Sequence, residues 1–205
     1  TGGNVLGNYK ESIAIIIPAL DPDERMVSLV GQLHDDGFSN IILVDDGSLI
    51  ANRKYFKTCK ETCHCKIIRH VVNFGKGIAL KSAFNYILEQ RPDIKGAVTV
   101  DCDGQHVLPD INTCAKLTYE HPDSLILGCR QFDDKEIPLR SRFGNKLTRQ
   151  MIRLLCGIHV SDTQTGLRGL PTPLIREHFA NVKGERFEYC LLYTSPSPRD
   201  GLLSR

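Results

Sequence analysis

The run Gly96-Ala-Val-Thr-Val-Asp-Cys-Asp-Gly-Gln-His106 passes from a short, β-rich apolar stretch straight into two carboxylates, a glycine and two polar side chains. In an open α/β sheet, ligands gather beyond the carboxyl ends of the strands, so a strand ending here would carry Asp101 and Asp103 to where a substrate arrives. Two carboxylates one residue apart, with Gly104 free to turn the chain, suit a hard divalent cation that takes oxygen ligands and leaves positions open for phosphate. The same Asp-x-Asp spacing also occurs in solvated surface turns, so alone it does not separate a metal site from a loop. Asn40-Ile-Ile-Leu-Val-Asp-Asp-Gly-Ser48 repeats the design, with Asp45 and Asp46 at the end of an apolar run and Gly47 to turn. There a capped loop competes with a functional reading, more strongly for Asp46 than for Asp45. Asn73-Phe-Gly-Lys-Gly77 puts glycines and Lys76 ahead of a helix, where backbone N–H groups can cradle phosphate. It is neither a Walker loop nor a complete dinucleotide fingerprint, which counts against nucleotide hydrolases and dehydrogenases.

These groups need a scaffold, and the hydrophobic pattern supplies one. Ser12-Ile-Ala-Ile-Ile-Ile17 reads as a strand covered on both faces and ended by Pro18. Asp21-Pro22 predicts a helix start, Asp as cap and Pro at the first helical position, followed by Met26, Leu29, Val30 and Leu33 at helical spacing. Residues 51–62 read as a polar surface helix, Lys66–His70 as a strand, and the stretch after Gly77 as a helix with Ala79, Leu80, Ala83, Phe84, Ile87 and Leu88 on one side. Leu108–Glu120 is a helix with Pro109 near its start, and Ser124–Gly128 a further strand. Strand and helix alternating in this way predict an α/β fold with a mostly parallel, doubly wound sheet.

Beyond residue 130 the character changes. Arg142, Lys146, Arg149 and Arg153 form a basic stripe beside Phe143, Leu147, Met151 and Leu154, giving a helix over Arg140–Cys156. Such a helix fits an anionic membrane surface, and equally an ordinary core helix with a solvated basic face. Ser161–Arg168 is polar, and Pro173–Phe179 reads as a helix. Residues 191–205 carry no period and read as a non-native tail, while 1–11 read as a poorly ordered lead-in, leaving one catalytic domain over 12–190.

The totals agree with one globular domain: 205 residues, 41% hydrophobic and 24% charged. A formal charge of +2 gives no argument for nucleic acid. The eight cysteines are scattered, which favours reduced thiols in a cytosolic compartment over a disulfide scaffold. Cys59, Cys63 and Cys65 with His64 lack the usual spacing of a zinc knuckle. No run reaches the roughly 20 apolar residues that span a bilayer.

Taken in order, Pro18-Ala-Leu-Asp-Pro-Asp-Glu24, Leu43-Val-Asp-Asp-Gly-Ser48, Asn73-Phe-Gly-Lys-Gly-Ile-Ala-Leu80, Val100-Asp-Cys-Asp-Gly-Gln-His106 and Ser161-Asp-Thr-Gln-Thr-Gly-Leu-Arg168 resemble the motifs of family 2 glycosyltransferases. The branch they resemble acts on polyprenyl phosphates, similar to dolichol-phosphate mannosyltransferase and the bactoprenol glucosyltransferases. The resemblance covers about residues 12–189 and implies a GT-A fold, a nucleotide-diphosphate sugar donor, a polyprenyl-phosphate acceptor and inversion at the anomeric carbon. It implies that Pro18, Ala19 and Asp45 line the nucleoside pocket with Asp46 beside it, and that Asp101 and Asp103 hold Mg2+ or Mn2+ on the diphosphate. Lys76 and Gln105 join the donor-binding set, the latter on the sugar-phosphate side. Arg130, Arg140 and Arg142 match basic residues that meet the lipid phosphate, and Asp162 and Gln164 match the motif lining the sugar pocket. The catalytic set so implied is Asp103, Asp162, Gln164 and Arg130.

Three departures stand out. Cys102 replaces the usual Ala, Cys129 a common Ser, and the altered stretch Asp21–Glu24 leaves the pocket acid open between Asp21 and Glu24. The resemblance places the domain in the cytoplasm, peripheral on the inner face of a membrane, with the parent chain anchored by a further C-terminal part. Two other readings stay open: a family 2 enzyme acting on a sugar hydroxyl, and an inactive fragment that only binds nucleotide. A sugar nucleotidyltransferase is disfavoured, because Pro18–Glu24 is not a glycine-rich basic loop.

Overall fold

The computed structural model describes residues 9–128 and 167–181. A short helix α1 (Tyr9–Ser12) lies within the stretch read as lead-in and runs into β1 (Ile13–Ala19). There follow α2 (Glu24–Asp35), β2 (Ile41–Asp46), a 3-10 turn (Ile50–Asn52), α3 (Arg53–Cys63), β3 (Lys66–His70), α4 (Lys76–Gln90), β4 (Gly96–Thr99), α5 (Leu108–Glu120), β5 (Ile126–Leu127), β6 (Arg168–Pro171) and α6 (Thr172–Asn181). The strands form one sheet in the order β3-β2-β1-β4-β6-β5. Its first four members are parallel, while β6 runs antiparallel to both β4 and β5.

The unbroken apolar run of β1 has a direct cause. Successive side chains point to opposite faces, and both faces are covered. Ile13, Ile15 and Ile17 enter a core with Met26, Leu29 and Leu33 of α2, Phe56 of α3 and Ile111 of α5. Ala14 and Ile16 enter the opposite core with Leu80, Ala83, Phe84 and Ile87 of α4 and Ile175 of α6. Each fully buried Ile contributes about 1.5–3 kcal/mol of burial free energy, so this central strand organises both layers.

The sequence reading needs three corrections. Pro18 does not end β1: it pairs in register with Val44, and the strand continues to Ala19. The ladder with β4 stops at Ile16↔Thr99, so Pro18 sits where one flank of β1 is no longer paired, a place that tolerates a residue without an N–H. The cap of α2 is Asp23, whose carboxylate accepts from Arg25 N at 2.9 Å, rather than Asp21. Asp21 instead takes a left-handed turn (φ 48°), a conformation Asp tolerates better than most residues, and its carboxylate accepts from Leu49 N at 2.8 Å. Finally, Arg168–Pro171 is a strand wedged between β4 and β5, so the sheet is mixed on that side. Gly169 permits the wedge, since a Cβ there would collide with the Thr118 hydroxyl of α5.

β6 starts level with the end of β4, Arg168 opposite Thr99, and Gly128 N donates to Leu167 O at 3.0 Å. The chain therefore leaves at Gly128 and returns at Leu167 at the same sheet edge to which β4 delivers Asp101.

Candidate active site

The carboxyl ends of β1, β2 and β4 gather most of the side chains singled out above. Pro18 and Ala19 are buried in β1, with Ala19 in register with Asp45 of β2. Asp45 and Asp46 are both buried and, as consecutive strand residues, serve opposite faces. Asp45 accepts from Ser48 N at 2.8 Å and from Arg69 Nε at 2.8 Å. Asp46 pairs with His70 Nδ1 at 2.7 Å and accepts from Phe74 N at 3.1 Å and Gly75 N at 2.8 Å. Both of its oxygens are thus committed to the loop between β3 and α4, and Asp46 acts as a clamp that fixes where α4 begins. Gly47 (φ 85°) completes the clamp, because a Cβ there would strike the backbone of Val72 and Asn73.

The first residue of α4 is Lys76, and its ammonium is ion-paired with Asp101 Oδ1. The other oxygen of Asp101 faces His106 Nε2 at 3.9 Å, too far for a hydrogen bond. His106 is buried, and Nε2 has no hydrogen-bond partner among the described residues. An orphaned buried nitrogen costs about 1–3 kcal/mol, a cost tolerated where a ligand completes the site. Burial pushes the Asp101 carboxyl up, but the His106 imidazole and the Lys76 ammonium more than offset it and hold the group well below the usual carboxylate range. Asp101 is therefore ionised at neutral pH. Asp103 accepts from Gln105 N at 3.0 Å, closing a tight turn through Gly104 (φ 76°). Cys102 between them stays a thiol, its ionisation pushed up by burial and by the two carboxylates.

Asp21 is tied to the β2 loop, donating from its N to Ser48 Oγ at 2.9 Å and accepting from Asn52 Nδ2 at 3.1 Å. Glu24 is exposed in the first turn of α2, and Gln105 is exposed beyond the Asp101–Asp103 turn. Arg130, Arg140, Arg142, Asp162 and Gln164, with the basic stretch over 140–156 that the sequence predicts to be a helix, lie outside the described residues. The sequence reading carried His106 to this edge without giving it a role, and missed Arg69 and His70 as members of it. A signal existed for the latter two: β2 ends Asp45-Asp46 and β3 ends Arg69-His70, and the register sets Asp45 opposite Arg69 and Asp46 opposite His70.

The donor set fits a hard divalent cation. Asp101 and Asp103 offer oxygens at one turn, and Mg2+ in phosphate-binding sites commonly takes one or two carboxylates with the rest from water and substrate. Among the described residues no group of three or more His, Cys, Asp or Glu side chains forms a closed metal cage. Cys59, Cys63 and Cys65 are free thiols, and burial pushes Cys59 up to about 11 and Cys65 to about 12.

A mostly parallel sheet with a carboxylate pair at the crevice beyond its strand ends is the architecture of GT-A glycosyltransferases. Residues 15–179 match the model of glycosyl transferase family 2, and the chain belongs to that family. It is 30% identical over 194 residues to the UDP-N-acetylglucosamine–dolichyl-phosphate N-acetylglucosaminyltransferase of Methanococcus voltae, a match covering 87% of this chain and 76% of that protein. An uncharacterized protein of Methanocaldococcus jannaschii is 29% identical over 196 residues, covering 94% of this chain and 78% of the relative. Among solved structures, glucosyl-3-phosphoglycerate synthase from Mycobacterium tuberculosis with Mn2+, UDP and phosphoglyceric acid superimposes with a TM-score of 0.58 at 17% identity, over 80% of this chain and 57% of that one. With phosphoglyceric acid alone the TM-score is 0.56 at 17% identity, over 84% of this chain and 62% of that one. The chain thus spans about 60% of the length of those enzymes, and at that identity the likeness concerns the fold.

Proposed function

We propose that this glycosyltransferase moves a sugar from a nucleotide-diphosphate sugar to a polyprenyl phosphate, with inversion at the anomeric carbon. The observation that carries the donor side is the ionised Asp101 at the end of β4, gripped by Lys76 on one oxygen and faced on the other by the buried His106, whose Nε2 makes no hydrogen bond among the described residues. The acceptor side is supported by the relative that acts on dolichyl phosphate.

In this reading Pro18, Ala19 and Asp45 border the nucleoside, and Asp46 acts from behind by fixing the α4 start. Asp101 and Asp103 hold Mg2+ or Mn2+, which when bound neutralises the diphosphate as it departs. Lys76, already beside Asp101, adds a second positive charge at the same leaving oxygens, and Gln105 lies on the sugar-phosphate side. Arg130, Arg140 and Arg142 orient the lipid phosphate for attack from the opposite face. A phosphate monoester has a second pKa of about 6, so it is mostly a dianion at neutral pH and needs no strong general base. Asp162 and Gln164 then orient the sugar and stabilise positive charge developing on it. With a hydroxyl acceptor Asp162 would instead have to take a proton. A lipid acceptor also calls for contact with the inner face of a membrane, which we assign to the basic and apolar stripes of the sequence over 140–156. Among the described residues no helix is long and apolar enough to cross a bilayer.

The test is to incubate the protein in detergent with Mg2+ or Mn2+, a panel of labelled nucleotide sugars, and either a polyprenyl phosphate or the corresponding polyprenol. The reading predicts a labelled phospholipid from one donor and none from the polyprenol. Transfer to a glycan hydroxyl with none to the lipid phosphate would replace it with the hydroxyl-acceptor reading.

A further inference from the structure

Away from Asp101, on the opposite face of the sheet from α4, lies an open cavity of about 500 Å3 between α3 and the edge strand β3. Its floor is apolar, Phe56 and Ile67, and its remaining lining is cationic: Arg53, Lys54, Lys57, Lys60 and Arg69. The charges come from two separate elements. Arg53, Lys57 and Lys60 recur at helical steps of four and three, so they share one side of α3 with Lys54 beside them. Arg69 projects from β3 on the same face as Ile67, two residues before it.

Counter-charge is sparse. Asp45 takes Arg69 Nε, and Glu61 approaches Lys57 at 3.7 Å. Arg53 Nε reaches only a neutral carbonyl, Ser48 O, at 3.3 Å, and Lys54 lies over the Tyr55 ring at 4.9 Å. Neither Lys54 nor Lys60 has a carboxylate partner among the described residues. In a chain whose formal charge is +2, five cations facing one cavity with two carboxylates to offset them is a local excess. Such a cluster repels itself unless an anion sits within it. Arginine forks alongside lysine point charges match the several oxygens of a phosphate, and the cavity is of a size for a phosphate ester rather than a bare halide.

We propose that the α3–β3 groove is a second binding site, for a phosphate-bearing anion, distinct from the donor site at Asp101 and Asp103. It meets the donor edge through Arg69, whose Nε holds Asp45, and through Arg53, whose Nε reaches Ser48 O. The ligand is either a free phosphate compound or the phosphate of an anionic lipid headgroup, and both present anionic phosphate oxygens to the groove.

The experiment titrates the full chain, in a chelator and without divalent metal, with inorganic pyrophosphate in one arm and with phosphatidylglycerol or phosphatidylcholine vesicles in the other. Lys57→Glu/Lys60→Glu alters the groove, and Lys95→Glu/Lys116→Glu makes the same change of net charge at exposed sites elsewhere. Lys57→Gln/Lys60→Gln serves as a milder variant should the reversal disturb folding, which circular dichroism melting reports. The expected result is binding of pyrophosphate or of phosphatidylglycerol vesicles that falls at least about tenfold in the groove reversal, and severalfold in the Gln pair, but changes little in the remote reversal and in Asp101→Asn. Sensitivity to pyrophosphate identifies a free ligand, and sensitivity to phosphatidylglycerol alone identifies the headgroup. Equal losses in both reversals, loss in Asp101→Asn, or no binding in either arm would overturn the proposal.

Discussion

The two ends of this sheet use the same residue types to opposite effect. At the amino end, before β1, β2 and β4, polar groups are paired with one another. Lys10 Nζ reaches Asp36 Oδ2 at 2.8 Å, Asn112 Nδ2 donates to the same oxygen at 2.6 Å, and Tyr9 OH donates to Asn112 at 2.8 Å. Arg91 there holds Asn40 and Asp93, both at 2.7 Å. At the carboxyl end Asp45 and Asp46 are satisfied in the same way, but two strands over the pattern breaks: Asp101 stands between a lysine and an imidazole whose Nε2 lacks a hydrogen bond. Large apolar side chains are also left exposed in the loops at that end, Ile50 and Val71 most of all. A closed network serves stability, and an unfinished one leaves free energy for a ligand to supply.

That contrast can be broken by substitution, starting where the effect should be largest. Asp101→Asn or Asp103→Asn should lower donor turnover by about 100-fold or more, since in the proposed reading each removes a negative charge that would hold the divalent cation while keeping side-chain volume. Thermal melting should move little, and wild-type turnover at limiting metal would remove both residues from the metal assignment. Asp46→Ala should act the other way round, as a stability lesion. Removing a buried carboxylate that holds an imidazole and two backbone N–H groups should cost about 3–5 kcal/mol in urea unfolding, with lost activity following from a displaced Lys76. A loss under about 1 kcal/mol would show that the loop after β3 does not depend on this clamp.

His106 sharpens the comparison. His106→Phe removes the orphaned nitrogen but also the imidazole that helps hold Asp101 ionised, so stability should change by less than about 1 kcal/mol while activity is lost. A loss of several kcal/mol with unchanged turnover per folded molecule would mean that the imidazole is an ordinary core group. Asp36 supplies the amino-end counterpart. The Lys10 and Asn112 hydrogen bonds hold its carboxyl below the usual range, so its stabilisation is present above about pH 4 and fades as pH falls through the folded-state value. Asp36→Asn should therefore reduce stability near neutral pH and flatten the acid limb, with unchanged turnover per folded molecule. Identical acid limbs in mutant and wild type would contradict the linkage. The smallest effect is expected from Cys63→Ser, within about 0.5 kcal/mol of wild type and without change in bound zinc.

What the sequence disclosed tracks what local chemistry can encode. β1 and β2 were legible because both of their faces are buried, which leaves a continuous apolar run, and α2 and α4 because a one-sided core imposes helical spacing. β6 was not legible, since Arg168-Gly-Leu-Pro171 has no strand pattern and becomes a strand only because β4 and β5 offer it hydrogen-bonding partners. The cap of α2 was misplaced by two residues because Asp21 and Asp23 have equal local claims, and the distant Leu49 N–H decides between them. At the site, Asp101 and Asp103 were visible from strand-end position, and their family motif set the chemistry. The roles of Asp46, His70 and Arg69 depend on strand register: the complementary strand ends Asp45-Asp46 and Arg69-His70 hint at it, but only the tertiary pairing of β2 with β3 sets them opposite each other.

The central claim is that the carboxyl end binds a nucleoside diphosphate through a metal held by Asp101 and Asp103. Thermal unfolding with UDP or GDP, with and without Mn2+, tests it most directly. A ligand at 100 times its dissociation constant adds about 2.7 kcal/mol to stability, so one nucleotide should raise the melting temperature of the wild type by several degrees, only when Mn2+ is present. The same additions should leave Asp101→Asn unmoved. An equal rise without metal, or an equal rise in Asp101→Asn, would contradict the account.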